Sequence, residues 1–268
     1  MAAPMDGCYL EGEKNKMQLF DVSYFIGCFA KLLPYLPITL MILAISLVFS
    51  LLFGLFLAWC KLRKNPVVRG VVNTYTEIIR GTPFVVLLFI IYFGLPKLFL
   101  GLWGVDINGW NKMIYIIATL SIFGSARMSE AMRAAYLSVN KGQTEAALSC
   151  GLSEAQAFWH IVMPQALLIA LPNLGNLILS NLLETAVGFS IGIVDFVGNA
   201  RLVITRDYGV HNLEVYVMVA LVYWVLSMLF AKLFDVLELA LKKRQGIGAN
   251  GKRAPQLNKR RKKVPVRV

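Results

Sequence analysis

The chain has 268 residues, 57% of them apolar, and carries a formal net charge of +12; its mean hydropathy is +0.64. That composition lies outside the soluble range and makes the bilayer the relevant solvent. The four cysteines, at positions 8, 28, 60 and 150, are scattered without a C-x-x-C, and only two histidines occur, so neither a disulfide framework nor a metal-ligand cluster is indicated.

Residues 1–36 read as an extracytoplasmic N-terminal segment. Asp6, Glu11 and Glu13 precede its first apolar run, the wrong charge for the n-region of a secretory signal. An interfacial stretch at Tyr24–Lys31 leads into Pro34 and Pro37. No charge interrupts Leu32–Cys60, which exceeds the roughly 20 apolar residues a spanning helix needs. The first span is placed at about 37–60, and Asn65-Pro66 marks the turn after it, because a residue before proline is pushed out of helical geometry.

The second span is placed at 78–99. Within it, Pro83 lacks an amide hydrogen and Gly81 allows close backbone approach, which predicts a kink near the inner boundary. Glu77 and Arg80, spaced i,i+3, are expected to pair. Trp103 and Trp110 suit the headgroup level, so the third span runs over about 111–131. Arg127 and Glu130 then lie at membrane depth, where an unsatisfied charge costs about 2.5–3.5 kcal/mol. Either they pair with each other at i,i+3, or Arg127 faces a cavity.

The loop 138–164 is polar at first and amphipathic afterwards. Its apolar spacing predicts two short helices broken at Gly151, with Ser153 and Gln156 forming a capping box on the second. The fourth span, 167–187, is interrupted by Pro172 and Gly175. The stretch Glu184–Gly192 reads as re-entrant backbone lining a cavity, and Ser180, Glu184 and Thr185 are candidates for a pathway shared with Arg127 and Glu130. The fifth span covers 213–233. Residues 242–268 hold eleven Lys/Arg and no acid, a composition that predicts a disordered tail. Lys61, Arg63, Lys64 and Arg69 cluster directly after the first span, so the Lys/Arg bias places the N-terminus outside and the C-terminus inside. The expectation is an all-α integral membrane protein with five transmembrane helices over 37–241 and a cytoplasmic helix-turn-helix.

Several words occur together in order: Arg80-Gly81-Thr82-Pro83, Tyr92-Phe93-Gly94-Leu95-Pro96, Lys141-Gly142-Gln143, Glu145-Ala146-Ala147 with Gly151 following, then Ile161 and Met163-Pro164-Gln165-Ala166-Leu167. From about Pro37 to Leu241 the chain resembles the ABC importer permeases of the polar amino-acid uptake family. The resemblance implies a permease in the plasma membrane that dimerises with a second copy or a sister permease. It also implies two cytoplasmic ATPase subunits that bind ATP and Mg, and an extracytoplasmic amino-acid-binding protein. The chain has no G-x-x-x-x-G-K-[S/T] phosphate loop, so no cofactor is assigned to it. Glu145, Ala146, Ala147, Gly151, Ile161 and Pro164 become the ATPase-coupling residues, within a coupling helix-turn-helix.

The departures from the family pattern concern substrate. Relatives commonly carry Tyr where this chain has Arg127, and a Lys-Asp-Thr-Ser-Leu run becomes Leu183-Glu184-Thr185-Ala186-Val187. Arg127 is therefore assigned to the amino acid's carboxylate and Glu184 to its ammonium group. Asn140 replaces a usual proline, with no strong consequence expected. Gly192–Ala200 is similar to the branch that carries cystine and related sulfur amino acids. Gly188-Phe189-Ser190-Ile191-Gly192 fits a hydrolase elbow, but it fits G-x-x-x-G helix packing better. A rival of another class is an ATPase-independent channel or carrier lined by Arg127, Glu130 and Glu184. Nucleic acid is not an expected partner; the lipid bilayer is.

Overall fold

The computed structural model describes residues 20–244; most of the expected N-terminal segment and of the basic tail falls outside the described residues. Every regular element among the described residues is helical. Helix α1 (Val22–Leu32) starts at Asp21, whose carboxylate accepts the Tyr24 amide at 3.1 Å, as an N-cap does. A 3₁₀ turn over Leu33–Tyr35 joins it to α2 (Leu36–Leu62), with proline near the start of both elements, where a missing amide hydrogen breaks no helical bond.

Asn65 caps α3 (Pro66–Gly81) by accepting from the Val67 and Val68 amides. The kink expected at Gly81 and Pro83 is instead a full break. Thr82 is extended at φ −92°, ψ 129°, as a residue before proline tends to be, and Pro83 has ψ 136°. Helix α4 (Phe84–Phe89), a π-helical turn (Ile90–Gly94) and α5 (Leu95–Trp103) follow. The apolar span thus covers Phe84–Trp103 rather than 78–99. Glu77 and Arg80 are both exposed, and the pair expected between them does not form among the described residues.

Asn111 caps α6 (Lys112–Ser138) through the Met113 amide at 2.9 Å. Next come α7 (Lys141–Ser149), α8 (Glu154–Ala157), a π turn (Phe158–Val162) and α9 (Met163–Thr185). Pro172 and Gly175 do not interrupt α9. Gly175 instead admits α11, since a Cβ there would stand 3.1 Å from Phe234 Cγ. A 3₁₀ turn (Ala186–Ile191), α10 (Phe196–Arg206) and α11 (Asn212–Arg244) complete the order. Gly188 lies in that 3₁₀ turn and Gly192 is left-handed at φ 79°, so this G-x-x-x-G does not pack helix on helix. Such a pair needs continuous helix to put both glycines on one face. Elsewhere, Glu214 accepts the Asp21 amide at 2.8 Å and Tyr24 stacks on His211 at 3.8 Å, tying α1 to the start of α11.

Helix α6 is the innermost element, packed by α2, α3, α4 and α9. Ser46, Ser50, Gly54 and Ala58 recur every fourth residue on α2 and are all buried, a small-residue face that lets two backbones approach closely. Ser50 Oγ donates to Leu120 O at 3.2 Å. A Cβ on Gly124 would collide with Ser50 Oγ and stand 2.7 Å from Asn181 Nδ2. Outward-facing Leu52, Phe53 and Phe56 are more than half exposed, the reverse of a soluble helix.

Four helical stretches among the described residues are long and apolar enough to cross a membrane: Val22–Leu62, Phe84–Trp103, Glu154–Ile191 and Asn212–Lys243. Helix α6 has the length, at 27 residues, or about 40 Å at 1.5 Å per residue. Its composition differs because Arg127, Glu130 and Arg133 sit in its second half.

Gly124→Ala is expected to destabilise the protein by about 1–3 kcal/mol through overpacking. Gly101→Ala, with nothing within 4 Å of the added carbon, should leave stability unchanged or slightly raised. Thermal unfolding of the two variants in detergent checks the difference.

Candidate functional site: a capped segment and a cross-helix ionic cavity

The segment 138–164 is built by local hydrogen bonding. Asn140 Oδ1 accepts the Gly142 amide at 2.9 Å and so starts α7. The asparagine in place of proline therefore has a consequence, as an N-cap. At the other end Gly151 N donates to Leu148 O at 2.9 Å and Leu152 N to Ala147 O at 3.2 Å, the paired bonds of a Schellman stop. Gly151 has φ +85°, and no atom lies within 4 Å of where its Cβ would be. Glycine is favoured there by backbone conformation alone. Ser153 and Gln156 form the expected capping box, at 3.3 Å and 2.9 Å.

Beyond Ala157 the structure departs from two short helices. Helix α8 runs without a break through the π turn into α9. Pro164 offers a physical reason: in a regular helix its ring would clash with the carbonyl four residues back. The wider π turn, in which Met163 N donates to Phe158 O, accommodates the ring. Glu145, Ala146 and Gly151 are exposed, Ile161 and Pro164 are half-buried, and Ala147 is buried. The small side chain of Ala147 thus serves internal packing of α7.

Arg127 and Glu130 of α6 each pair across to another helix, and Glu130 also pairs with Arg133 within α6. Arg127 Nη1 lies 2.6 Å from Glu184 Oε1 on α9, and its guanidinium sits 5.1 Å from the Phe123 ring centroid. Arg127 and Glu130 do not pair with one another. Glu130 Oε2 instead accepts from Lys61 Nζ at 3.0 Å, and its Oε1 from Arg133 at 2.5 Å and 3.1 Å. The Lys61 side chain is 1% exposed, and without Glu130 it would be an uncompensated buried charge.

A cavity of about 350 Å³ is lined by Arg80, Phe123, Arg127, Glu130, Asn173 and Leu177 among others. The structure thus gathers Arg127, Glu130 and, through its ion pair, Glu184. It does not gather Ser180 or Thr185. Ser180 Oγ donates back to Asn176 O, and Thr185, 1% exposed, donates to Leu182 O and approaches Tyr223. Ser190 Oγ donates to Val187 O at 2.8 Å, a local bond that does nothing to activate it as a nucleophile. Asn181, 1% exposed, has both amide atoms without a partner among the described residues, as has Glu184 Oε2.

Sequence reasoning misses Lys61, Arg133 and Asn173 at this site, and it assigns Arg80 to a pair with Glu77. One signal is available. Lys61 lies three residues after Ala58, so it continues the buried face of α2 that Ser46, Ser50 and Gly54 begin. The others depend on which turns of α6 and α9 face each other, which no spacing within one helix records.

Glu130→Gln is expected to cost about 3 kcal/mol by stranding Lys61. The double variant Lys61→Met with Glu130→Gln should recover most of that loss. Chemical or thermal unfolding of the single and double variants measures the coupling.

Residues 50–243 match the family model described as "Binding-protein-dependent transport system inner membrane component". The chain is 42% identical over 226 residues to the L-cystine transport system permease protein TcyL of Bacillus subtilis (strain 168), covering 84% of this chain and 93% of that one. It is 30% identical to the arginine transport system permease protein ArtQ of the same organism, covering 83% of this chain and 97% of the relative. A solved structure described as "Crystal structure of an amino acid ABC transporter with histidines" superposes with a TM-score of 0.72 at 31% identity, over 82% of this chain and 98% of that one. The chain belongs to the binding-protein-dependent transport system inner membrane components, as a permease subunit of an amino-acid ABC transporter and not an enzyme.

Proposed function

We propose that the chain forms the membrane-spanning path of an ATP-driven importer for a polar amino acid, with segment 138–164 as the surface gripped by a partner ATPase. The observation that carries this reading is mechanical. A segment held by an N-cap, a Schellman stop and a capping box is joined without a break to α9, and α9 carries Glu184, the partner of Arg127 in the ionic cavity. Movement at the exposed end is thereby transmitted to the charged end.

In this reading five helical spans cross the plasma membrane: α2, α4 with α5, α6, α9 and α11. The N-terminus lies outside and the C-terminus inside. Helix α6 completes the five because its charges are turned into the bundle and paired, the arrangement that makes ionisable residues tolerable at membrane depth. Glu145 and Ala146 present the contact surface, Gly151 makes the turn, and Ile161 with Pro164 forms the joint to α9. ATP and Mg are bound by the ATPase subunits. An extracytoplasmic binding protein delivers substrate, and a second copy or a sister permease completes the channel.

Arg127 and Glu184 neutralise each other while the path is empty. A zwitterion would replace that pair with two, its carboxylate on Arg127 and its ammonium on Glu184, so that neither charge is left bare. The 42% identity with an L-cystine permease supports cystine or another sulfur-containing amino acid as the narrower reading.

Co-purified with its ATPase, the complex is expected to show ATP hydrolysis stimulated by one member of an amino-acid panel presented with the binding protein. Hydrolysis without uptake, or uptake in vesicles lacking the ATPase, rejects the mechanism. Arg127→Tyr should raise the transport Km roughly tenfold or more, as expected for a lost charged hydrogen bond of about 1.5–3 kcal/mol; an unchanged Km rejects the assignment. Gly151→Val, forced into a left-handed backbone, should keep ATP hydrolysis but uncouple it from uptake, measured as the ratio of the two rates.

A further inference from the structure

A second cavity, of about 780 Å³, opens between α2, α6 and the start of α9. Its walls include Phe56 and Trp59 from α2, Met132 and Tyr136 from α6, and Phe158 with Trp159 from the π turn. The volume lies within the roughly 300–1,000 Å³ typical of ligand pockets. Along α2 the lining runs from Leu52 to Leu62, about 15 Å at 1.5 Å per residue, or half of a hydrocarbon core roughly 30 Å thick. The groove is one leaflet deep.

Its chemistry is polarised. The lining is almost wholly apolar, whereas the end beyond Leu62 is cationic. Arg63 places its guanidinium 3.8 Å from the Trp59 ring centroid, and Lys64 follows; both are exposed. No carboxylate pairs with either among the described residues. Trp59 and Trp159 are 53% and 63% exposed, and tryptophan favours the headgroup level.

We propose that this groove binds an anionic phospholipid from the leaflet on the side of segment 138–164. The acyl chains lie along α2 and the phosphate meets Arg63 and Lys64. Exposed apolar side chains continue along α2 beyond the groove, through Phe49, Val48 and Ile45, but the concavity itself ends at Leu52, a depth that matches the acyl chains of one leaflet. Acyl chains need no hydrogen-bond partners, which the apolar wall does not supply, and an anionic headgroup needs the cations at the mouth. Because Phe158 and Trp159 belong to the π turn that joins α8 to α9, the bound lipid touches the joint itself. Anionic lipid content is then a modulator of the permease, a role separate from its amino-acid substrate.

The test uses the complete transporter in nanodiscs containing brominated phosphatidylglycerol or, at equal fraction, brominated phosphatidylcholine, with tryptophan fluorescence as readout. Phosphatidylglycerol should quench more strongly, and Trp159→Phe should remove part of that difference. Arg63→Gln and Lys64→Gln should each weaken the preference about fivefold, the factor expected for one basic residue at an anionic surface. Equal quenching by the two lipids, or a preference untouched by both glutamine variants, overturns the proposal. So does efficient Leu55→Cys crosslinking between two permease copies in a background without native cysteines, because it would put protein in the groove.

Discussion

The close approach of α2 to α6 governs where the other helices and their charges are placed. Helix association in lipid gains little from apolar burial and relies on tight van der Waals contact and hydrogen bonds between helices. Ser46, Ser50, Gly54 and Ala58 supply the necessary absence of bulk, and Gly124 supplies it from the facing side. Lys61 follows on the same buried face and reaches Glu130. Once α6 is seated, Arg127 turns toward α9 and finds Glu184. Packing thereby decides electrostatics: the positions of the small residues determine which charge meets which.

The same seating separates two cavities of opposite character. Arg80, Arg127 and Glu130 line one, and Phe56, Trp59 and Trp159 line the other. Helix α9 continues from the capped segment to the ionic pair without a break, out of the π turn and past Pro172. A proline within a spanning helix is tolerated where neighbouring helices compensate for the missing bond. The resulting rod suits the proposed role better than two hinged helices would, since a hinge between α8 and α9 would absorb movement instead of passing it on.

Local features are legible in the sequence. Gly151 as a helix stop, the box of Ser153 with Gln156, and Asn111 at the start of α6 all depend on atoms within a few residues of one another. Asn140 belongs with them by its chemistry, although its capping role emerges only from the structure. Gly81 and Pro83 are legible as a disturbance and not as its kind. Whether such a pair bends or ends a helix depends on whether neighbours satisfy the freed backbone groups. Pro172 and Gly175 mislead in the opposite direction: α9 continues past both, and Gly175 lies against Phe234 of α11.

The membrane class, most of the apolar stretches, most caps of segment 138–164 and the family are readable without coordinates, because composition, hydropathy and short-range hydrogen bonding are written in consecutive residues. The partners of Arg127, Glu130 and Lys61, the burial of Ala147, and the absence of Ser180 and Thr185 from the cavity lining emerge from the packed helices alone. Those outcomes depend on the rotation of one helix against another, which is determined by many contacts between residues far apart in the chain. Arg127 and Glu184 stand 57 positions apart, and nothing local to either announces the other.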